Sequence, residues 1–390
     1  MIAGRRITVL GYDGSPFDPK PFEGVTLVVG GERHLAVAPV PEAARTVVIG
    51  DVRAAVAELV AHEGPAVVLA SGDPGYFGIV RRLRAEGVEL DVRPAVSSVA
   101  TAFARVGVEW DDATVVSVHG RDPAAGLAVV RRGGKLAVLT DARTGPAEVA
   151  AAAPPGCELV VAERLGEPDE RVVRGTPDRI AAADDWREPN VVLVLDGAPA
   201  SPAPWVAGHD VAPRGWALPE ARFAHRDGMV TKPEVRALVL ARLGPRLGEL
   251  VWDVGSGSGS VAVECARLGA AVVAVEKSDT SHLEENLRTF GVRVQVVRGQ
   301  APDALRDLPR PDAVFVGGGG VDVVQAVVER RPARLVVALA TLERVAGVLD
   351  AMRGYVTDAV LLESSRLQPL GDGHRLVPTN PVFVVSGVLT

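Results

Sequence analysis

A chain of 390 residues, 47% hydrophobic and 23% charged, exceeds one ordinary core and predicts two globular domains. No apolar stretch approaches ~20 residues, which excludes a membrane span, and Cys157 and Cys265 alone cannot build a disulfide framework or a cysteine-rich metal site. The net charge of −7 lacks the basic footprint of a nucleic-acid partner, so an anionic substrate calls for a local basic cluster.

The opening "MIAGRRITVLGY" holds an apolar run too short for a signal-peptide core, and a cytoplasmic location is expected. Apolar runs then alternate with helix-like runs as far as Asp196. The strand candidates are "ITVLGY", "TLVVGG", "AVVLAS", "TVVSVH", "KLAVLT", "ELVVAE" and "NVVLVL". They are rich in Val, Ile and Leu without strict alternation, as strands covered on both faces are. Helix candidates lie between several of them, including "DVRAAVAELVAHEG" and "SVATAFARVG", the latter closing on Gly107. This order predicts α/β layering for a first domain, residues 1–197. The pattern lapses in the proline-rich stretch 198–224, which reads as a linker. A second alternation fills residues 225–390.

The second domain holds "ELVWDVGSGSGSVAVECARLG": a buried strand, a glycine turn and a helix closed by Gly269. The next strand, "AVVAVE", ends on Glu276, which lies 21 positions after Gly255. The helix "SDTSHLEENLRTFG" follows, capped by Ser278 or Asp279 and ended by Gly291, with Leu283, Leu287 and Phe290 on one face. This is a βαβ unit whose acidic strand end suits ribose hydroxyls. A dinucleotide needs G-x-G-x-x-G with the pyrophosphate on the helix N-terminus. Here Gly255, Gly257 and Gly259 give G-x-G-x-G, Ser260 stands at the last glycine's place, and Asp253 lies two before the first. S-adenosylmethionine (SAM) has no pyrophosphate, but it has a ribose, an ammonium and a sulfonium. Carboxylates beside a glycine turn suit it better than they suit NAD. Cys265 reads as core.

"DGMVTKPEVRA", "WDVGSGSGSVAVE", "VEKSD", "PDAVFVGGGG" and "NPVFVVSG" together resemble the class I SAM methyltransferases of corrin biosynthesis, which methylate carbon 15 of a precorrin and remove an acetate carboxyl. The resemblance covers Asp227 to Gly387 and implies a Rossmann-like fold. It places SAM at Gly255, Gly257, Gly259, Glu276, Gln300 and Ala301, to which the turn itself adds Asp253 as a cofactor-binding candidate. The family has Gly-Asp-Ala-Pro where this chain has "GQAP", and Gln300 can still accept a hydrogen bond through its amide oxygen. "VVLASGDPGYFGI", "PAVSSVATAFARVGVEW", "VVSVHGR" and "LAVLTD" resemble the tetrapyrrole methylases, in their carbon-5 branch. That implies a two-lobed fold with a second SAM near Gly72, Asp73, Tyr76, Ser97, Ser98 and His119. The family's first loop reads G-x-G-P-G, whereas here it is "LGYDGSP", with Asp13 at the second glycine's place.

Both halves together resemble the fused precorrin-6Y methyltransferase (decarboxylating) family of vitamin B12 biosynthesis. The implied substrate is a large, flat polycarboxylate. Its carboxylates need cationic donors. The candidates are Arg33, His34 and Arg121 in the first domain and Arg366 in the second, with Lys232, His374 and Arg375 as candidate catalytic groups. The sulfonium is already activated, so proximity and desolvation carry the reaction, and neither a metal nor pyridoxal is implied. A homo-oligomer without nucleic-acid or membrane partners is expected. Three other readings stay open: an RNA methyltransferase, a non-catalytic SAM- or tetrapyrrole-binding protein and a nicotinamide oxidoreductase.

Overall fold

A computed structural model describes residues 6–197, 215–226 and 228–390. Most of the expected linker, 198–214, lies outside the described residues. The chain forms two compact units. One draws on residues within Met1–Arg121, Gly134–Ala151 and Pro155–His209, the other on residues within Asp122–Gly133, Ala152–Pro154 and Asp210–Thr390. Among the described residues, no helix is long and apolar enough to cross a membrane.

The first unit carries two five-stranded sheets. In one, the order is β3 (Arg45–Val48), β2 (Leu27–Gly30), β4 (Ala66–Ser71), β1 (Arg6–Tyr12), β5 (Glu89–Arg93), all parallel. In the other it is β6 (Thr114–Ser117), β7 (Leu136–Leu139), β10 (Asn190–Leu195), β8 (Glu158–Glu163), β9 (Arg171–Gly175). There β10 runs antiparallel to both neighbours. The seven expected strands all form, and the central ones bury both faces, as Val67, Val68, Val192 and Leu193 show at 0% exposure. Three strands escaped the sequence: β3, β5 and β9. Each is an edge with one partner and mixed exposure, so its charged residues dilute the apolar signal. Gly107 ends its helix in the left-handed conformation, as its position implied.

The second unit is a seven-stranded sheet in the order β13 (Gln295–Arg298), β12 (Ala271–Glu276), β11 (Leu250–Val254), β14 (Ala313–Val316), β15 (Arg334–Leu339), β19 (Val382–Leu389), β16 (Tyr355–Leu362). The strands from β13 to β15 are parallel, and β19 is antiparallel between β15 and β16. β17 (Ser365–Leu370) and β18 (Gly373–Pro378) form a separate hairpin. Alternate residues of β11 feed opposite faces: Leu250, Trp252 and Val254 enter one apolar cluster and Val251 the other. The order reverses between β11 and β14, so their carboxyl ends leave a crevice where open α/β sheets bind ligands. The helix after β12 starts at Ser281 with Thr280, not Ser278 or Asp279, at the cap position. Asp279 still accepts from the Ser281 amide at 3.1 Å.

One ion pair organises the approach to this sheet. Arg236 on the helix Pro233–Leu243 meets Glu264 on the helix Ser260–Arg267 at 2.8 Å, both side chains fully buried. Glu264 also accepts from the amides of Ala217 (2.6 Å) and Leu218 (2.8 Å). Arg236 donates to the carbonyls of Thr231 (2.5 Å) and Leu218. The guanidinium lies 4.6 Å from the Phe223 ring centroid. Buried charges are tolerated only when so fully satisfied. Removing one partner by Glu264→Ala should cost about 3–5 kcal/mol, because it strands a buried guanidinium. Urea unfolding followed by circular dichroism checks this, and a loss under ~1 kcal/mol would show the pair to be dispensable.

Candidate active sites

The turn after β11 is built around two carboxylates. Asp253 is buried; its Oδ2 accepts from the Ser256 hydroxyl at 2.7 Å and the Ala262 amide at 2.9 Å, pinning the turn to the helix behind it. Its Oδ1 has no partner, and burial pushes its pKa up to about 6. Glu276 accepts from the Gly257 amide and the Ser278 amide, both at 2.8 Å, so the acidic strand end is fixed against the turn. Gly255 must be glycine because a Cβ there would come within 2.7 Å of the Gly318 nitrogen. Gly257 has φ +55°, and a Cβ there would meet nothing within 4 Å.

That open side is a cleft of about 640 Å³. The turn Gly255–Ser258 forms one wall. Met229–Lys232, Phe315, Gly317, Ala340 and Thr379–Pro381 complete it. Pieces of four quoted motifs, scattered over 150 residues of sequence, thus converge. Asn286, which sequence reasoning missed, ties two of these walls. Its carboxamide accepts from the Ala224 amide (2.7 Å) and donates to the carbonyls of Ala224 and Ser258 (both 2.8 Å). The signal was present: a polar residue on the stripe that carries Leu283 and Leu287, here 1% exposed.

Of the expected residues, Gly255, Gly257 and Lys232 line the cleft, and Gly259 caps the helix Ser260–Arg267. Asp253 and Glu276 brace the turn from behind. Gln300 and Ala301 follow β13 and are kept beside Glu276 by the Gly299 amide bonding its carbonyl at 2.9 Å, but they do not form the cleft wall. Lys232 pairs with Glu220 at 2.6 Å, and Glu220 also holds Arg366 at 3.0 Å. His374 and Arg375 lie on the exposed hairpin, opposite Pro369 and Gln368, away from the wall.

The first unit holds its own cavity, about 300 Å³, where the carboxyl ends of β1, β4, β6 and β7 meet the start of β10. Gly72, Asp73, Tyr76, Ser98 and His119 line it as expected. Ser97 instead caps the helix Ser98–Val106, accepting from the Ala100 amide at 3.2 Å. His119 Nδ1 donates to the Thr140 carbonyl at 3.0 Å, which leaves Nε2 as an acceptor when the ring is neutral. Asp13 substitutes for the absent glycine by accepting from the Ser15 and Val96 amides (3.1 and 3.3 Å), which close the first loop. Thr140 and Asn190, which the sequence reading did not single out, also line the cavity and bond each other at 2.6 Å. Arg33 lines the cavity but is already engaged, with Glu167 at 2.7 Å and with the Ser71 hydroxyl. His34 is buried against Tyr12 and does not line the cavity; burial, aided by Arg33, holds its pKa down to about 4, so it is neutral at pH 7. Arg121 lies over the Phe77 ring.

Residues 221–388 match the family model described as precorrin methyltransferase domain, and residues 25–181 that of the tetrapyrrole (corrin/porphyrin) methylases. The precorrin-6Y C(5,15)-methyltransferase (decarboxylating) of Sinorhizobium sp is 36% identical over 382 residues, 91% of this chain and 88% of its own. The chain belongs to the precorrin-6Y C(5,15)-methyltransferase (decarboxylating) family. The protein of the same name from Mycobacterium tuberculosis (strain ATCC 25618 / H37Rv) is 36% identical over 81% of this chain and 80% of its own. A probable cobalt-precorrin-6B C(15)-methyltransferase (decarboxylating) of Pyrobaculum calidifontis is 35% identical over 183 residues, 43% of this chain but 94% of its own.

Methyltransferases of this family imply SAM as donor, and the cleft's residues fit it. The space at Gly257 offers room for the donor beside the turn, and Glu276, which holds the Gly257 amide from behind at 2.8 Å, keeps that turn in place. Gly257→Val would fill that space and strain a position with positive φ. Carbon-15 methylation and decarboxylation should fall at least ~100-fold, about 2.7 kcal/mol, while carbon-5 methylation continues. Loss of both methylations in a folded variant would contradict two separate sites.

Proposed function

We propose that the chain methylates precorrin-6Y at carbons 5 and 15 and decarboxylates its ring C acetate side chain, giving precorrin-8 in vitamin B12 biosynthesis. The observation that carries the proposal is the presence of two unlike cavities, each inside a unit that matches a different methyltransferase family model. On this reading, residues 1–197 methylate carbon 5 and residues 225–390 perform the carbon-15 step and the decarboxylation. A relative named for the carbon-15 methylation and decarboxylation, matched over 43% of this chain and 94% of its own length, fits such a division.

Each cavity binds one SAM, which supplies a methyl already activated on sulfonium. In the second unit Glu276 accepts from the ribose hydroxyls, and Gln300 stands beside it for the adenine. The glycine turn keeps side chains out of the donor's place. Lys232, in the cleft wall, meets a substrate carboxylate and holds the ring in line, with its Glu220 partner setting its position. Proximity of this kind is worth ~7–11 kcal/mol, so no strong base is needed. In the first unit Gly72, Asp73, Ser98, Thr140, His119 and Asn190 form the polar end of the cavity. His119 Nε2 is its acceptor of a donor proton.

A homo-oligomer fits the hairpin β17–β18, where Leu367 and Leu376 face each other in register at 69% and 67% exposure. A cytoplasmic enzyme is part of the same reading. Incubation with SAM and precorrin-6Y, followed by product mass, should show two methyls gained and one CO₂ lost. Recovery of unchanged precorrin together with salt-sensitive RNA methylation would favour the RNA reading instead.

A further inference from the structure

We propose that Phe77, together with Arg121, is the platform on which the flat polycarboxylate ring rests in the first unit. The inference rests on the carbon-5 activity proposed above and assigns its substrate subsite. Phe77 has φ +56°, a conformation that a bulky residue adopts only when its surroundings impose it. Those surroundings are a short turn after β4. Asp73 Oδ1 accepts from the Gly75 amide at 2.8 Å, and the Tyr76 amide bonds the Asp73 carbonyl at 3.0 Å. The turn holds two aromatic rings side by side, 5.1 Å apart and edge to face, each 39% exposed. Both line the cavity, which is also lined by the buried Thr140 and Asn190, at 8% and 9% exposure.

A strained turn that displays two rings to solvent wastes apolar surface unless a ligand covers it. The Arg121 guanidinium lies 5.8 Å from the Phe77 centroid, and no carboxylate among the described residues pairs with it. Ring and cation together offer an apolar plane and a carboxylate partner. A planar macrocycle with carboxylate arms uses both. The cofactor is left to the polar groups that line the same cavity, Thr140, Asn190 and His119, which suit its ribose and amino acid. The arrangement also explains why Arg33, paired with Glu167, need not be the cation that meets the substrate.

The test is steady-state carbon-5 methylation by Phe77→Ala and Phe77→Trp in the full chain, with KM read separately for precorrin-6Y and for SAM. Phe77→Ala should raise KM for precorrin-6Y by about fivefold or more, leave KM for SAM within about twofold, and be rescued by Phe77→Trp. An unchanged KM for precorrin-6Y, or an equal rise for SAM, overturns the platform. Titration of precorrin-6Y by its absorbance covers a chain that moves no methyl to carbon 5. There, loss of one of two classes of binding site in Phe77→Ala upholds the platform and overturns the activity. Two classes retained overturn the platform.

Discussion

The buried pair Arg236–Glu264 is the constraint on which the second unit's cleft depends. Neither group has solvent, so every donor and acceptor must be met from the chain. What meets them is the backbone of Ala217, Leu218 and Thr231. The segment that supplies Met229–Lys232 to the cleft is thereby a fixed wall. Asn286 repeats the device 2.8 Å from the Ser258 carbonyl, joining that wall to the glycine turn. The crevice at the β11/β14 reversal comes from topology, and its width from these polar ties. The first unit uses the same logic at its surface, where Arg33 beside the first sheet pairs with Glu167 beyond β8 of the second.

The two cavities are built in different ways. The second unit has a single parallel run of strands, so its cleft opens at the carboxyl ends of β11, β14 and β15, and a tight glycine turn makes the room. The first unit has two sheets, so its cavity lies between strand ends of both, and no glycine-rich repeat is needed. Its loops are shaped by side chains that bond backbone amides: Asp13 to Ser15 and Val96, Asp73 to Gly75, Ser97 to Ala100. Glycines serve there too, since a Cβ on Gly11 would collide with the Gly72 carbonyl oxygen.

The parts of the fold governed by local pattern were readable. Central strands such as β4, β8 and β12 follow from uninterrupted apolar runs, and the turn at Gly255–Gly259 follows from spacing. Edge strands β3, β5 and β9 were not, because their short runs mix charged with apolar residues and break the apolar signal. The acidic strand end Glu276 was found from its distance to Gly255, and the structure puts it on the Gly257 amide. Asn286 left a sequence mark, a polar residue on an apolar stripe, but its partners Ala224 and Ser258 lie far along the chain, as Arg121 does from Phe77. His34 illustrates the converse: its sequence neighbours suggest a cation, but burial against Tyr12 keeps it neutral.

The central claim is that one chain carries two independent cofactor sites of unlike architecture. Isothermal calorimetry of the intact chain with S-adenosylhomocysteine tests it most directly. Two molecules bound per chain, with separable affinities, is the result this account requires. A single molecule per chain would contradict it and reduce one of the two cavities to a feature of the fold.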